Sequence, residues 1–330
     1  MKLTPILALA LTARWAVKAL PGPNTPPSPK IRTIYTFPNN TFLESLAVRS
    51  NSNLLITSMS VPHLYSLNPT TPNPTPSIIH TFPNITGIAG ITETTPDVFA
   101  LVTANWDLAN TRAYPGTLAV WTVDLSKKQQ PIIRLVTYIP NSTIINGLTS
   151  HPSNPRIILG ADSSSLGAVW RIDLVTGNYE IAFSSPLFTP TGTAPGTNLG
   201  INGLRASGNH LYFTNSAQGF FGRVKIDKKG NKIGEIEIIS ESPEGVIYDD
   251  IAIDKEKKRA WVASHPDYVV EIDLSDGKQR VVKDETRLLN PTSATFGRGG
   301  KKEKEKVYVT VGGQFVGWDL VGNGIVALDL

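Results

Sequence analysis

The 330-residue chain has no cysteine, which excludes disulfides, thiol nucleophiles and thiolate metal centres. It has no Gly-x-Ser-x-Gly, no His-Glu-x-x-His and no phosphate-cradling loop ahead of a helix, so the common hydrolase, zinc-protease and nucleotide-binding signatures are absent. Gly297-Arg298-Gly299-Gly300-Lys301 looks phosphate-like but leads into a hairpin tip. No apolar run spans a bilayer; the stretch from Leu3 to Ala13 is too short. Charge of one sign is scarce too, with a net of only +4. Much of the positive charge lies in Lys228-Lys229, Lys255 to Arg259 and Lys301 to Lys306, interleaved with Glu and Asp. These read as solvated hairpin tips between the first and second strands of three units, so no nucleic-acid partner is expected.

What the chain does have is a six-fold echo. Its opening beats are Glu44-Ser45-Leu46, Thr86-Gly87-Ile88, Asn146-Gly147-Leu148, Asn202-Gly203-Leu204, Asp249-Asp250-Ile251 and Pro291-Thr292-Ser293. Its closing beats are strands such as Val120-Trp121-Thr122-Val123-Asp124 and Val169-Trp170-Arg171-Ile172-Asp173. Six all-strand units of roughly 40–60 residues predict an all-β, six-bladed β-propeller. Ile34-Tyr35-Thr36-Phe37-Pro38-Asn39 nearly repeats Ile79-His80-Thr81-Phe82-Pro83-Asn84, the outer strand of the first unit, while the last unit stops after three strands. An N-terminal strand completing the last blade therefore closes the ring and leaves no open edge.

The domain plan has three parts. Residues 1–19 read as a signal peptide, with Lys2, an apolar stretch and the small residues around Val17-Lys18-Ala19. Residues 20–30 form a Pro-rich linker, and 31–330 a single propeller. Asn39, Asn84 and Asn141 begin glycosylation triplets, which agrees with the secretory pathway and an extracellular or vesicle-lumen destination. A monomer is expected.

A propeller turns one end of every innermost strand toward a central channel, so the opening beats name its mouth. Loops entering the first strands offer Glu44, Asn146, Asn202 and Asp249; loops joining second to third strands offer Asn105 with Trp106, Asn215, Gln218, Phe220 with Phe221, His265, Gln314, Phe315 and Trp318. The first set has the oxygen chemistry of a calcium or other hard divalent cation site. The same residue types also serve simply as turns preceding strands. The second set mixes aromatics with amide donors, and propeller aromatics equally pack between blades.

Glu44-Ser45-Leu46, Asn202-Gly203-Leu204 and Tyr248-Asp249-Asp250-Ile251-Ala252-Ile253-Asp254 resemble motifs of the SMP-30/gluconolactonase family. There the matching Glu, Asn and Asp bind a divalent metal, and the Asp is the base in lactone hydrolysis. Asp250 and Ser45-Leu46 depart from that family's glycine and Gly-Pro. Phe37 to Arg49, Leu54 to Ser58 with Leu64-Tyr65, and Ile144 to Leu148 are similar to a fungal secreted branch of this superfamily that includes the hetero-Diels–Alderases of tropolonic sesquiterpenoid pathways. The resemblance implies a pericyclase that joins a tropolone quinone methide to a humulene-type sesquiterpene alkene, both small and apolar.

Such a cycloaddition requires no cofactor, only two partners held in one orientation, an effect that reaches about 7–11 kcal/mol in favourable cases. On this reading Trp106, Phe220, Phe221, Phe315 and Trp318 form an apolar cup, while Asn105, Asn215, Gln218 and Gln314 donate to a carbonyl. His265 or Asp249 assists loss of water, with Glu44 beside them. The alternatives are a calcium-dependent lactonase or esterase using Glu44, Asn146, Asn202 and Asp249, and a non-catalytic metabolite-binding propeller.

Overall fold

In the computed structural model, residues 28–127, 130–194, 196–254 and 258–330 are described. The expected signal peptide, most of the Pro-rich linker and residues 255–257 of one basic tip lie outside them. Six four-stranded antiparallel sheets are present, together with two small two-stranded ones.

Blade 1 comprises Leu43–Val48, Leu54–Ser58, His63–Leu67 and Ser77–Thr81. Blade 2 comprises Gly87–Thr95, Val98–Ala104, Ala119–Asp124 and Ile132–Tyr138, and a small hairpin of Trp106–Asp107 and Arg112–Ala113 is inserted before its third strand. Blades 3, 4 and 5 begin at Ile145–His151, Ile201–Ser207 and Ile247–Asp254 and run outward in chain order. Blade 6 is built from Pro291–Phe296, Lys306–Val311 and Gly324–Asp329, with Lys30–Thr36 as its outer strand. That N-terminal strand pairs antiparallel with Gly324–Asp329, and Arg32 reaches Asp329 at 3.1 Å.

The innermost strands are almost wholly buried, since each packs against both neighbouring blades and the channel. Apolar clusters fill the wedges between blades: Leu55, Leu64 and Phe82 of blade 1 meet Ile88 and Leu101 of blade 2. Each such side chain contributes about 1.5–3 kcal/mol by leaving water. Phe82 follows an outer strand, so the blade-linking turn itself is anchored in the core.

Two loops differ from expectation. The tip after Gly297-Arg298-Gly299-Gly300, expected as a plain hairpin and not a helix, holds a one-turn helix at Lys301–Lys304. Lys228-Lys229 joins the third strand of blade 4, Phe220–Lys225, to the fourth, Glu237–Glu241, rather than the first to the second. The first hairpin of that blade is instead the tight turn around Gly208, which has φ of 62°. Asp227 shapes the Lys228-Lys229 loop by accepting from the backbone N–H groups of Lys229 and Asn231. Both loop types open on the face away from the mouth, so the tip is still solvated there.

Candidate active site

In every blade the pairing of first and second strands shifts register at the opening beat. These β-bulges lie at Leu43/Leu46, Ile88/Ile91, Ile145/Leu148, Ile201/Leu204, Tyr248/Ile251 and Pro291/Ser293, and a bulge re-aims the side chains it carries. Threonines of second strands bolt the bulges in place. Thr214 Oγ1 accepts from Gly203 N–H at 2.9 Å and donates to Asp249 O at 2.5 Å, tying blade 4 to blade 5. Thr57 does the same between Ser45 and Ala89 O. The inner strands approach so closely that a Cβ on Gly147 would sit 2.2 Å from Asn202 O.

This crowding brings Glu44, Asn146, Asn202 and Asp249 together at the axis, all of them buried. Burial and the nearby carboxylates of Asp249 and Asp250 push the Glu44 carboxyl well above the usual range, with the Asn146 amide opposing. Asp249 is also raised by burial, against its contact with His265. Asp249 Oδ2 lies 2.8 Å from His265 Nε2. Burial alone would lower the His265 imidazole, yet the Asp249 contact outweighs it and raises it. Asn290 turns this ring: its Nδ2 donates to Gly313 O at 2.5 Å, which leaves Oδ1 facing His265 Nδ1 at 3.3 Å.

Several oxygens here have no partner. Ser216 Oγ accepts from Asn202 Nδ2 at 2.9 Å, but Asn202 Oδ1 is buried and unpaired. Asp249 Oδ1 and Asp250 Oδ1 share that state, while Asp250 Oδ2 receives Arg205 at 2.8 Å and Ser293 at 2.6 Å. Buried oxygens normally find donors, so these three are free to accept from a bound ligand or water, or to hold an ion.

The second set of candidates does not gather into one cup. Trp106 is buried in the core between blades 2 and 3, and its Nε1 has no partner. Phe221 is fully buried between blades 4 and 5. Phe220 is buried against the blade 3–4 packing and also lines an open groove. Phe315 and Trp318 stand out on an inserted hairpin, Gln314–Val316 with Asp319–Val321, and are 58% and 66% exposed. Gln314 is exposed there too.

The amides divide similarly. Asn215 Nδ2 donates to Leu187 O and Thr189 O, and Gln218 Nε2 to Pro186 O and Thr189 O. Both donors pin the segment that links blades 3 and 4. Asn105 is half-buried, and its backbone bonds Thr117 and Tyr114. The alternation of strand residues could not reveal these assignments, because they depend on how far each inserted loop folds back.

Two relatives carry a matching name. "Putative hetero-Diels-Alderase asR5" of Sarocladium schorii is 29% identical over 218 residues, covering 60% of this chain and 54% of that protein. A "Putative hetero-Diels-Alderase" from Phoma sp. is 27% identical over 315 residues, 88% of each chain. The chain resembles the hetero-Diels–Alderases. The match spans about half the length of the Sarocladium protein and most of the Phoma one. No family model matches the chain. Among solved structures, the luciferin-regenerating enzyme has a TM-score of 0.64 at 14% identity, covering 92% of this chain and 95% of its own. A gluconolactonase of Xanthomonas campestris has a TM-score of 0.59 at 13% identity, covering 96% and 99%. Those two likenesses concern the propeller fold, which this hetero-Diels–Alderase relative shares.

The axial oxygens have the donor chemistry of a hard-cation site. Glu44 and Asp249 carboxylates with Asn146 and Asn202 amides supply four oxygen donors from four blades, and the orphaned Asn202 Oδ1 and Asp249 Oδ1 fit that use. Among the described residues no three of His, Asp and Glu converge as a ligand group, so the amides must carry half of any such site. The motifs missed Arg205, Ser293, Ser216 and Asn290. Arg205 alone left a signal, as the one arginine in the six innermost strands. Among the described residues no helix is long and apolar enough to cross a membrane.

Proposed function

We propose that this chain is a pericyclase of natural-product assembly, joining a tropolone quinone methide to a humulene-type alkene by a hetero-Diels–Alder addition. The observation that carries the reading is the His265–Asp249 pair, 2.8 Å apart, set beside the buried Glu44 carboxyl at the channel mouth. The two relatives named for this reaction support it at family level.

The chemistry needs a proton donor and a proton acceptor close together. A hydroxymethyl tropolone precursor gives up its ring hydroxyl proton to the His265–Asp249 pair as its C–O bond breaks. Glu44 delivers a proton to the departing hydroxide, so water leaves and the quinone methide remains. General acid–base assistance of this kind contributes about 10²–10⁴-fold. The oxygen-bearing diene then adds across the alkene, forming one C–C and one C–O bond with no further proton or electron exchanged. Holding both partners supplies the rate and the stereochemistry.

The test is incubation of the protein with the hydroxymethyl tropolone and humulenol. One enantiomer formed faster than in buffer is expected; racemic product at the buffer rate would count against the reading.

A second reading is favoured by the orphaned axial oxygens. Calcium held by Glu44, Asn146, Asn202 and Asp249 would polarise a lactone or ester carbonyl, with water as the attacking group. The protein residues would orient that carbonyl and keep Asp249 positioned through His265. Chelator-sensitive turnover of an aryl lactone would select this reading. Asn39, Asn84 and Asn141 are exposed in turns ahead of innermost strands, which suits glycosylation in the secretory pathway.

A further inference from the structure

Within four residues, Phe315, Val316 and Trp318 are 58%, 60% and 66% exposed, the densest cluster of exposed large apolar side chains among the described residues. They sit on the hairpin of Gln314–Val316 and Asp319–Val321, inserted after the second strand of blade 6 and so rising from the mouth face. Its base is pinned. Leu320 is buried, and its N–H donates to Asn40 Oδ1 at 2.9 Å. Asn40 returns two bonds, from its N–H to Leu320 O at 2.9 Å and from Nδ2 to Asp319 Oδ1 at 3.1 Å. On the other strand Gly313 N–H donates to Leu289 O at 2.9 Å. An apolar tip held away from the core on a fixed base is a preformed contact surface.

The shape and size of the tip select what covers it. Phe315 and Val316 are neighbours in one strand, so their side chains leave opposite faces of the hairpin. A protein packed on one face would leave the other wet, whereas immersion covers both. A large aromatic offers about 150–250 Å², so at these exposures the three side chains present on the order of 400 Å². A stable dimer draws about 800 Å² from each copy, twice what the tip provides. Insertion into the interfacial layer of a lipid surface needs no such area, and tryptophan is enriched there.

A second projection stands on the far side of blade 1. The small hairpin of blade 2 rises from the equivalent place, after that blade's second strand, and Leu108 and Tyr114 are exposed on it. Charge on both projections is low. Asp107 and Arg112 of the blade 2 hairpin lie 3.6 Å apart, and Asp319 is the only charged residue of 314–321. Neither has an excess of Lys or Arg to draw it to anionic headgroups. We infer that these two hairpins seat the propeller mouth on an electrically neutral lipid surface, with Phe315 and Trp318 entering the headgroup layer and the channel facing the bilayer. The inference is independent of the reaction proposed above.

The experiment mixes the full chain with phosphatidylcholine vesicles and separates bound from free protein by sedimentation, at low and at high salt. Wild type should bind equally at both. In the double variant Phe315→Ser/Trp318→Ser, its fold checked by circular dichroism and thermal melting, vesicle affinity should fall about tenfold or more. Val175→Ser removes an equally exposed apolar side chain from the opposite face and should keep wild-type affinity. Brominated phosphatidylcholine reads insertion directly: it should quench the tryptophan emission of wild type and quench Trp318→Phe less. Wild type left in the supernatant overturns the inference, as does wild-type affinity in the double variant or binding that requires anionic lipid. Quenching unchanged in Trp318→Phe overturns it too. A lipid-free dimer in sedimentation velocity that the double variant converts to monomer assigns the tip to a second copy and overturns the lipid surface.

Discussion

The two ends of the axial channel are built from the same six strands and have opposite electrostatics. At the mouth, Glu44 and Asp249 are buried without a cationic side chain other than His265, and three oxygens have no donor. At the far end, two half-buried carboxylates each hold an arginine. Arg49 binds Asp97 at 3.1 Å and Leu125 O at 3.0 Å, and Arg298 binds Glu93 at 2.7 Å and Val48 O at 2.8 Å. Burial works against the Asp97 carboxylate, but the Ser50 and Arg49 hydrogen bonds hold its carboxyl below the usual range. The far end is finished structure; the mouth holds unspent polarity, which is where perturbed groups and chemistry concentrate. Arg205 marks the boundary, because it binds one oxygen of Asp250, whose other oxygen is among the orphans.

The strongest way to break the contrast is Asp249→Asn. It removes the acceptor of the dyad while preserving size, and a loss of about 10²-fold or more in precursor dehydration is expected in single-turnover assays. Folding should be unaffected, as read by the urea midpoint. Arg298→Met applies the converse cut. It leaves Glu93 without its arginine and should lower stability by about 1 kcal/mol, since the Arg298 side chain is 42% exposed and partly screened. Activity should stay at the wild-type level; a large loss would show that the two ends are coupled.

Glu44→Gln gives the smallest effect on stability and sharpens the comparison through pH. A carboxyl whose folded value is raised binds its proton more tightly in the native state, so its favourable contribution is full at low pH. That contribution declines as pH rises from the ordinary carboxylate value, about 4.3, toward the folded one. In chelated buffer the variant should therefore gain relative stability between pH 4 and neutrality, read as melting temperature against pH. Asp97 has the opposite sign, because its lowered value makes it stabilising above the ordinary carboxylate range and lost in acid. An unchanged pH slope in Glu44→Gln would mean that the axial carboxyl is not proton-bearing.

Much of the fold was legible because repetition is a local property. Each opening beat carries its own turn residue and apolar alternation, and the Phe37-Pro38-Asn39 echo of Phe82-Pro83-Asn84 marked matching turns that bury Phe37 and Phe82. The convergence of Glu44, Asn202 and Asp249 followed from the same logic, since equivalent positions of a closed ring face one axis. The aromatic cup was not legible. Trp106 became core and Phe315 and Trp318 an exposed tip, because inserted hairpins are placed by loop packing that has no period, while Phe221 lies in the third strand of blade 4 and faces the wedge toward blade 5. Asn215 and Gln218 were likewise taken by the 186–189 segment, a partner no spacing rule indicates.

By itself, then, the sequence determined six blades, their order and the ring of oxygens, because strand period and turn chemistry act over a few residues. Tertiary structure alone decided which oxygens lack donors, that Arg205 and Ser293 would close on Asp250, and that a groove would open between blades 4 and 5. Those outcomes depend on distances between chains of residues brought together only when the ring closes, where a bulge of one residue redirects a side chain from wall to axis.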